Sequence, residues 1–192
     1  MKVFDAYPTK QFQSDEVLLY AGDTPKNLFF LNSGHVKQFT NSKDGKELII
    51  HIYENGAIFP LSWGLNKIVP EHHFISMDTV EVTLVPTRNF SKILLDHPDI
   101  HLEMTKRLVS GISGLSKRIE ILNFENAQGR IISTLTYLKK HFGSKLSFTH
   151  EELAALTGLS RERVSIEMKK LKDKKLISYT RSIISLKSGL SR

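Results

Sequence analysis

Residues 149–187 constrain this chain more than any other stretch. Thr149 is followed three residues later by Glu152, the spacing of a capping box. A short helix opens there, with Leu153, Ala154 and Leu156 facing inward until Gly158 breaks it. Ser160 then caps a second helix that carries Arg161, Glu162, Arg163 and Ser165 in its first turn and a half. Val164, Met168 and Leu171, at spacings of four and three, form its buried side, which leaves its start polar, exposed and basic. A short alternating run ending near Lys187 supplies a wing. In a helix-turn-helix the start of the second helix reaches base edges in the major groove, while neighbouring hydroxyls and arginines hold phosphates.

Helix, glycine turn, helix is also a common packing unit, and charge decides between the two readings. Residues 144–192 carry 11 positive and 5 negative charges, a net of +6, whereas residues 1–143 carry 16 and 15, a net of +1. Nearly all of the chain's net +7 therefore sits on the module with the recognition-helix pattern, the footprint of a phosphate-binding surface. Lys169, Lys170, Lys172, Lys174 and Lys175 suit a solvated charged face equally well.

The 192 residues, 40% of them apolar, suffice for one domain and a smaller one. No apolar run approaches the ~20 residues of a membrane span, and the N-terminus lacks an apolar signal core, so a cytoplasmic protein without a membrane partner is expected. The absence of cysteine excludes disulfides, thiol nucleophiles and cysteine-ligated iron–sulfur or zinc sites.

Residues 15–87 follow a different rhythm. Turn signals recur at Gly22-Asp23, Ser33-Gly34, Asp44-Gly45 and Asn55-Gly56, spaced 12, 11 and 11 residues, with β-prone runs at 28–31, 47–53 and 79–85. Such spacing predicts an antiparallel barrel or sandwich, of which a jelly-roll barrel is the choice, and the chain is read as α+β. From about residue 99 to 125 runs a long helix in which Leu108, Ile112, Leu115, Ile119 and Leu122 are spaced 4, 3, 4 and 3. That is an a/d seam of about two heptads, which pairs with another helix or packs on its own barrel. Gly111 and Gly114 lower helix propensity by roughly 1 kcal/mol each relative to alanine, so packing must supply the helix's stability.

Barrel, seam helix and winged helix-turn-helix together resemble the Crp/Fnr superfamily of bacterial transcription regulators over nearly the full chain. The residues that carry the resemblance are Ala21-Gly22-Asp23 through Lys37, Asp44-Gly45-Lys46-Glu47, Asn55 to Phe59, Val85 to Phe90, Gly129-Arg130-Ile131 and Gly158 to Ser165. The resemblance implies a homodimer: a sensing barrel (residues 1–97), a helix that pairs subunits (98–125), and a DNA-binding domain (126–192). Two recognition helices would then enter successive major grooves. Double-stranded DNA is the expected partner, with RNA polymerase a second one for an activator, and no enzymatic activity is expected.

Two departures from the family pattern matter. Many members continue the recognition helix as Ser-Arg-Glu-Thr-Val-Gly-Arg, the last Arg also reading bases; here Ile166 takes that place and Arg163 stands where Thr is usual. Cyclic-nucleotide-binding members carry a Gly-Glu-Leu stretch after the barrel glycine and an Arg-Ser pair beyond it, for ribose and cyclic phosphate. This chain reads Phe59-Pro60-Leu61-Ser62-Trp63-Gly64-Leu65 instead, with no Arg between Glu47 and Val85. A buried phosphate would lack its guanidinium, so cyclic AMP is not expected as effector. Phe59, Leu61, Trp63 and Phe74 are the candidate lining of any apolar effector pocket, or else core.

No cofactor or metal is expected. His72 and His73 are adjacent, so on a strand they point to opposite faces, and no His-x-His pattern occurs. Arg161 is the candidate for direct reading, at guanine O6 and N7, and Glu162 for a cytosine amino group. Thr149, Ser160, Arg163, Ser165 and, in the wing, Arg181 are the candidates for phosphates. The alternative is a ligand-binding regulatory module that docks its basic helix on an acidic protein. A barrel enzyme using histidine ligands lacks the carboxylate and histidine spacing that chemistry needs.

Overall fold

The computed structural model describes residues 2–180 and 183–187. The chain parts into two compact units, residues 1–109 and 110–192.

The first unit begins with a 3-10 turn (Lys2–Phe4) and continues through β1 (Thr9–Phe12), β2 (Val17–Leu19), β3 (Asn27–Ser33), β4 (Val36–Asn41), β5 (Glu47–Tyr53) and β6 (Ile58–Phe59). A short helix α1 (Leu61–Asn66), β7 (His73–Ser76), β8 (Val80–Pro86) and α2 (Thr87–Asp96) follow, and then the start of α3 (Pro98–Phe124). The strands form two four-stranded antiparallel sheets, β1-β8-β3-β6 and β2-β7-β4-β5. This is the jelly-roll barrel expected from the turn spacing.

Strand alternation builds two cores from one run. Phe29 and Leu31 of β3 join Phe12, Leu19, Val36, Phe59, Phe74 and Val82, a cluster drawn from both sheets. Leu28 and Phe30 point the other way and join Phe4, Val85, Phe90, Ile93, Ile100 and Met104, where α2 and the first turns of α3 cover the outer face. The run Leu28-Phe29-Phe30-Leu31 is apolar throughout because this sheet is buried on both faces. Gly34 closes the β3–β4 turn at φ +84°, and a Cβ there would lie 2.5 Å from the Thr79 carbonyl oxygen. Only glycine fits that turn.

The second unit contains the rest of α3, then α4 (Ala127–Phe142), β9 (Lys145–Ser147), α5 (His150–Thr157), α6 (Arg161–Asp173), β10 (Ile177–Tyr179) and β11 (Ile183–Leu186). Its core joins Ile131, Leu135 and Leu138 of α4 with Leu153 and Leu156 of α5, Val164, Met168 and Leu171 of α6, and Leu146, Ile177 and Ile184 of the antiparallel sheet β10-β11-β9. Among the described residues, no helix is long and apolar enough to cross a membrane.

Candidate nucleic-acid interface

The start of α6 is built by its neighbours as the spacing predicts. The Thr149 hydroxyl accepts from the Glu152 backbone N–H (3.2 Å), and the Glu152 carboxylate accepts from the Thr149 backbone N–H (2.7 Å), closing the capping box of α5. Gly158 ends α5 at φ +66° in the left-handed region. Two residues on, the Ser160 hydroxyl accepts from the Arg163 backbone N–H at 3.2 Å, which satisfies one free N–H of α6. Both hydroxyls proposed for phosphates thus also hold helix ends.

Around this cap the polar side chains divide by their partners. Arg161 has two thirds of its side chain exposed (67%), with Nε 3.5 Å from the Glu151 carboxylate of α5. An exposed pair of this kind contributes little, so the guanidinium is available to a stronger acceptor. The exposed Glu162 carboxyl is held below the usual carboxylate range by its own backbone N–H and by the Ser160 hydroxyl, and is therefore an acceptor. Ser165 donates to the Arg161 carbonyl (3.0 Å), and its hydroxyl lies 2.9 Å from Nδ1 of His150. His150 also meets the Tyr179 ring edge-on at 5.4 Å, and partial burial followed by the charge of Arg161 lowers its pKa, which favours the neutral ring.

A buried carboxylate holds the other side of α6. Glu167, only 2% exposed, takes an ion pair from Arg163 (2.9 Å) and another from Lys170 (2.9 Å). The Gln128 amide of α4 donates to it at 3.4 Å, and Lys174 donates to the Gln128 side-chain oxygen at 3.2 Å. Arg163, a phosphate candidate, is thus tied back along its own helix, which the sequence reading did not anticipate.

Two arginines to which the sequence assigned no role brace the same unit. Arg118 of α3 donates to the Leu156 carbonyl in the last turn of α5 (2.9 Å), and burial lowers its pKa. Arg130 of α4 donates to the carbonyls of Leu122 (2.7 Å), in the last turn of α3, and Glu125 (3.2 Å), just beyond it. Arg181 lies outside the described residues.

On α3, Leu108, Ile112, Leu115 and Ile119 of the seam are exposed (43, 64, 43 and 62%), and Leu122 is half-buried. A Cβ at Gly111 or Gly114 would meet nothing within 4 Å.

The four barrel residues proposed as a pocket lining separate. Phe59 and Phe74 are buried and stacked at 5.2 Å with Tyr53 against both, inside the cluster between the sheets. Leu61 and Trp63 pack on the outer cluster, and the Trp63 indole N–H donates to the Pro25 carbonyl at 2.8 Å. His35 pairs with Asp78 (2.6 Å), Nδ1 of His72 lies 3.1 Å from the Gln38 amide, and Nδ1 of His73 accepts from the Ala21 N–H. Among the described residues, no three His, Asp or Glu side chains converge as a metal ligand set.

Comparison with known proteins agrees with this layout. Residues 9–97 match the cyclic nucleotide-binding domain family and residues 129–189 the Crp-like helix-turn-helix domain family. The chain is 26% identical to the cAMP-activated global transcriptional regulator CRP of Pasteurella multocida, over 88% of this chain and 84% of that protein. It is 24% identical to the global nitrogen regulator of Nostoc, over 94% and 86%. In fold it is similar to the c-di-GMP-responsive global regulator CLP of Xanthomonas campestris, with a TM-score of 0.86, 19% identity and 96% of each chain covered. A Crp/Fnr regulator of Thermus thermophilus gives a TM-score of 0.81 at 23% identity, over 95% and 96%. With both domain families matched in the order that the fold shows, this chain belongs to the Crp/Fnr family of transcription regulators and carries its helix-turn-helix DNA-binding domain.

Proposed function

We propose that this regulator acts as a homodimer that reads a two-fold-symmetric operator. Residues 1–97 serve as the input domain, 98–125 as the pairing helix and 126–192 as the DNA-binding domain. The observation that carries this reading is the start of α6, where a capped helix holds Arg161 and Glu162 in solvent above a fully buried Val164, Met168 and Leu171. The exposed seam of α3 supports pairing, because an apolar stripe with open space beside Gly111 and Gly114 suits a second helix. Half-sites would lie about one helical turn, ~34–36 Å, apart. Duplexes selected from a random pool by the purified protein should converge on a palindrome, and affinity should fall steeply with salt. Enrichment of no sequence, or affinity indifferent to salt, would contradict this reading.

The barrel, we propose further, does not take cyclic AMP or cyclic GMP. Phe59 is fully buried in the stack with Phe74 and Tyr53, so an aromatic side chain fills the interior just after the Asn55-Gly56 turn. Pro60, Leu61 and Glu71 stand where nucleotide-binding relatives place their Gly-Glu and Arg-Ser groups, and Lys67 is the cation between them in sequence. A cyclic phosphate would meet a like charge and no guanidinium. Calorimetric titration with either nucleotide is expected to give no binding at micromolar concentration. Micromolar affinity with a matching change in operator binding would refute this.

A further inference from the structure

We infer that Ile166 is a specificity-determining residue that reads the C5-methyl group of one thymine in each half-site, an assignment that rests on the DNA-reading function proposed above. At about 100° per residue, the buried Val164, Glu167, Met168 and Leu171 set the inward stripe of α6. Directly opposite run Glu162, Ile166 and Lys169, all exposed. Ile166 therefore stands one turn beyond Glu162 on the outermost line of the helix, with 49% of its surface in solvent.

A lone exposed isoleucine is ordinary on a protein surface. What distinguishes this one is its place, between a carboxylate and an ammonium on the line that leads into the groove, in the part of the chain that holds +6 of the net charge. The floor of the major groove presents hydrogen-bonding atoms at every base pair and one apolar group, the thymine methyl. Isoleucine has no donor or acceptor. Against a cytosine amino group, or against purine N7 and O6, it would strip water from polar atoms and return nothing. Against a thymine methyl it removes two apolar surfaces from water at once, so one T·A pair is preferred where Ile166 points.

The test uses the duplex that the wild type selects from a random pool, resynthesised with uracil replacing each thymine in turn, which deletes the methyl and leaves pairing intact. For the wild type, uracil at one thymine per half-site should weaken binding about fourfold per half-site, the effect of roughly one methyl group. Ile166→Ala should bind the unmodified duplex weaker by a similar factor and should not respond to uracil at that position. A wild type that enriches a palindrome yet tolerates uracil at every thymine overturns the assignment alone, as does an Ile166→Ala protein that keeps the full uracil effect. A wild type that enriches no sequence overturns the DNA-reading function itself.

Discussion

Glutamate at both Ile112 and Ile119 is expected to convert the proposed dimer to monomers and to weaken operator binding by about two to four orders of magnitude. The two residues are the most exposed of the seam, at 64 and 62%, so neither substitution disturbs the core of its own chain. In a two-fold pair each new carboxylate would face apolar surface or its own symmetry mate, losing burial and adding repulsion. The effect on DNA follows from geometry. A monomer holds one half-site, and the second recognition helix no longer binds as an intramolecular event. Sedimentation at micromolar concentration checks the first step and a titration against the selected palindrome the second. A double variant that still sediments as a dimer, or a wild type that binds the palindrome as a monomer, would remove the seam from the interface.

Arg161→Ala should weaken binding to the selected operator by about 1–3 kcal/mol, roughly 5- to 150-fold, and relax one base position per half-site. The side chain is exposed, and its ion pair with Glu151 is a weak surface contact that a guanine edge would displace. On random duplex the same change should cost only its share of phosphate attraction and lower the salt slope by about one. Lys172→Ala should do less on both, since that ammonium lies 5.0 Å over the Tyr179 ring. Equal losses on selected and random duplexes would reduce Arg161 to a phosphate contact.

Local signals carried most of the fold. Thr149, Glu152, Gly158 and Ser160 act within a few residues of themselves, and each holds the helix end that its spacing predicts. Gly22, Gly34, Gly45 and Gly56 all adopt positive φ, which is why their regular recurrence marked the barrel turns. Contacts made across the chain were not legible. Arg118 reaches the Leu156 carbonyl 38 residues away, and Gln128 reaches Glu167 39 residues away, with no periodicity to announce either. Glu167 gave no signal in the sequence, because nothing in its spacing distinguishes a buried carboxylate with two cations from a solvated one. α4 and β9 were also missed as elements. The four barrel residues were read as a pocket lining or else core from their apolar character alone, which does not tell that β6 sends Phe59 inward while α1 carries Trp63 to the outer face.

In α6 the proposed readers stand apart from the residues that hold the helix. Val164, Glu167, Met168 and Leu171 fasten it, Arg163 and Lys170 are committed to Glu167, and Ser165 is committed to His150. Arg161, Glu162 and Ile166 are exposed, and among the described residues the contacts of the first two, with Glu151 and with the Ser160 cap, lie at the surface. If these three residues read the operator, single substitutions there would change its sequence and leave folding untouched, whereas a change at Glu167 would strand Arg163 and Lys170. On the proposed reading, operator preference and fold are thus set by different residues of one helix.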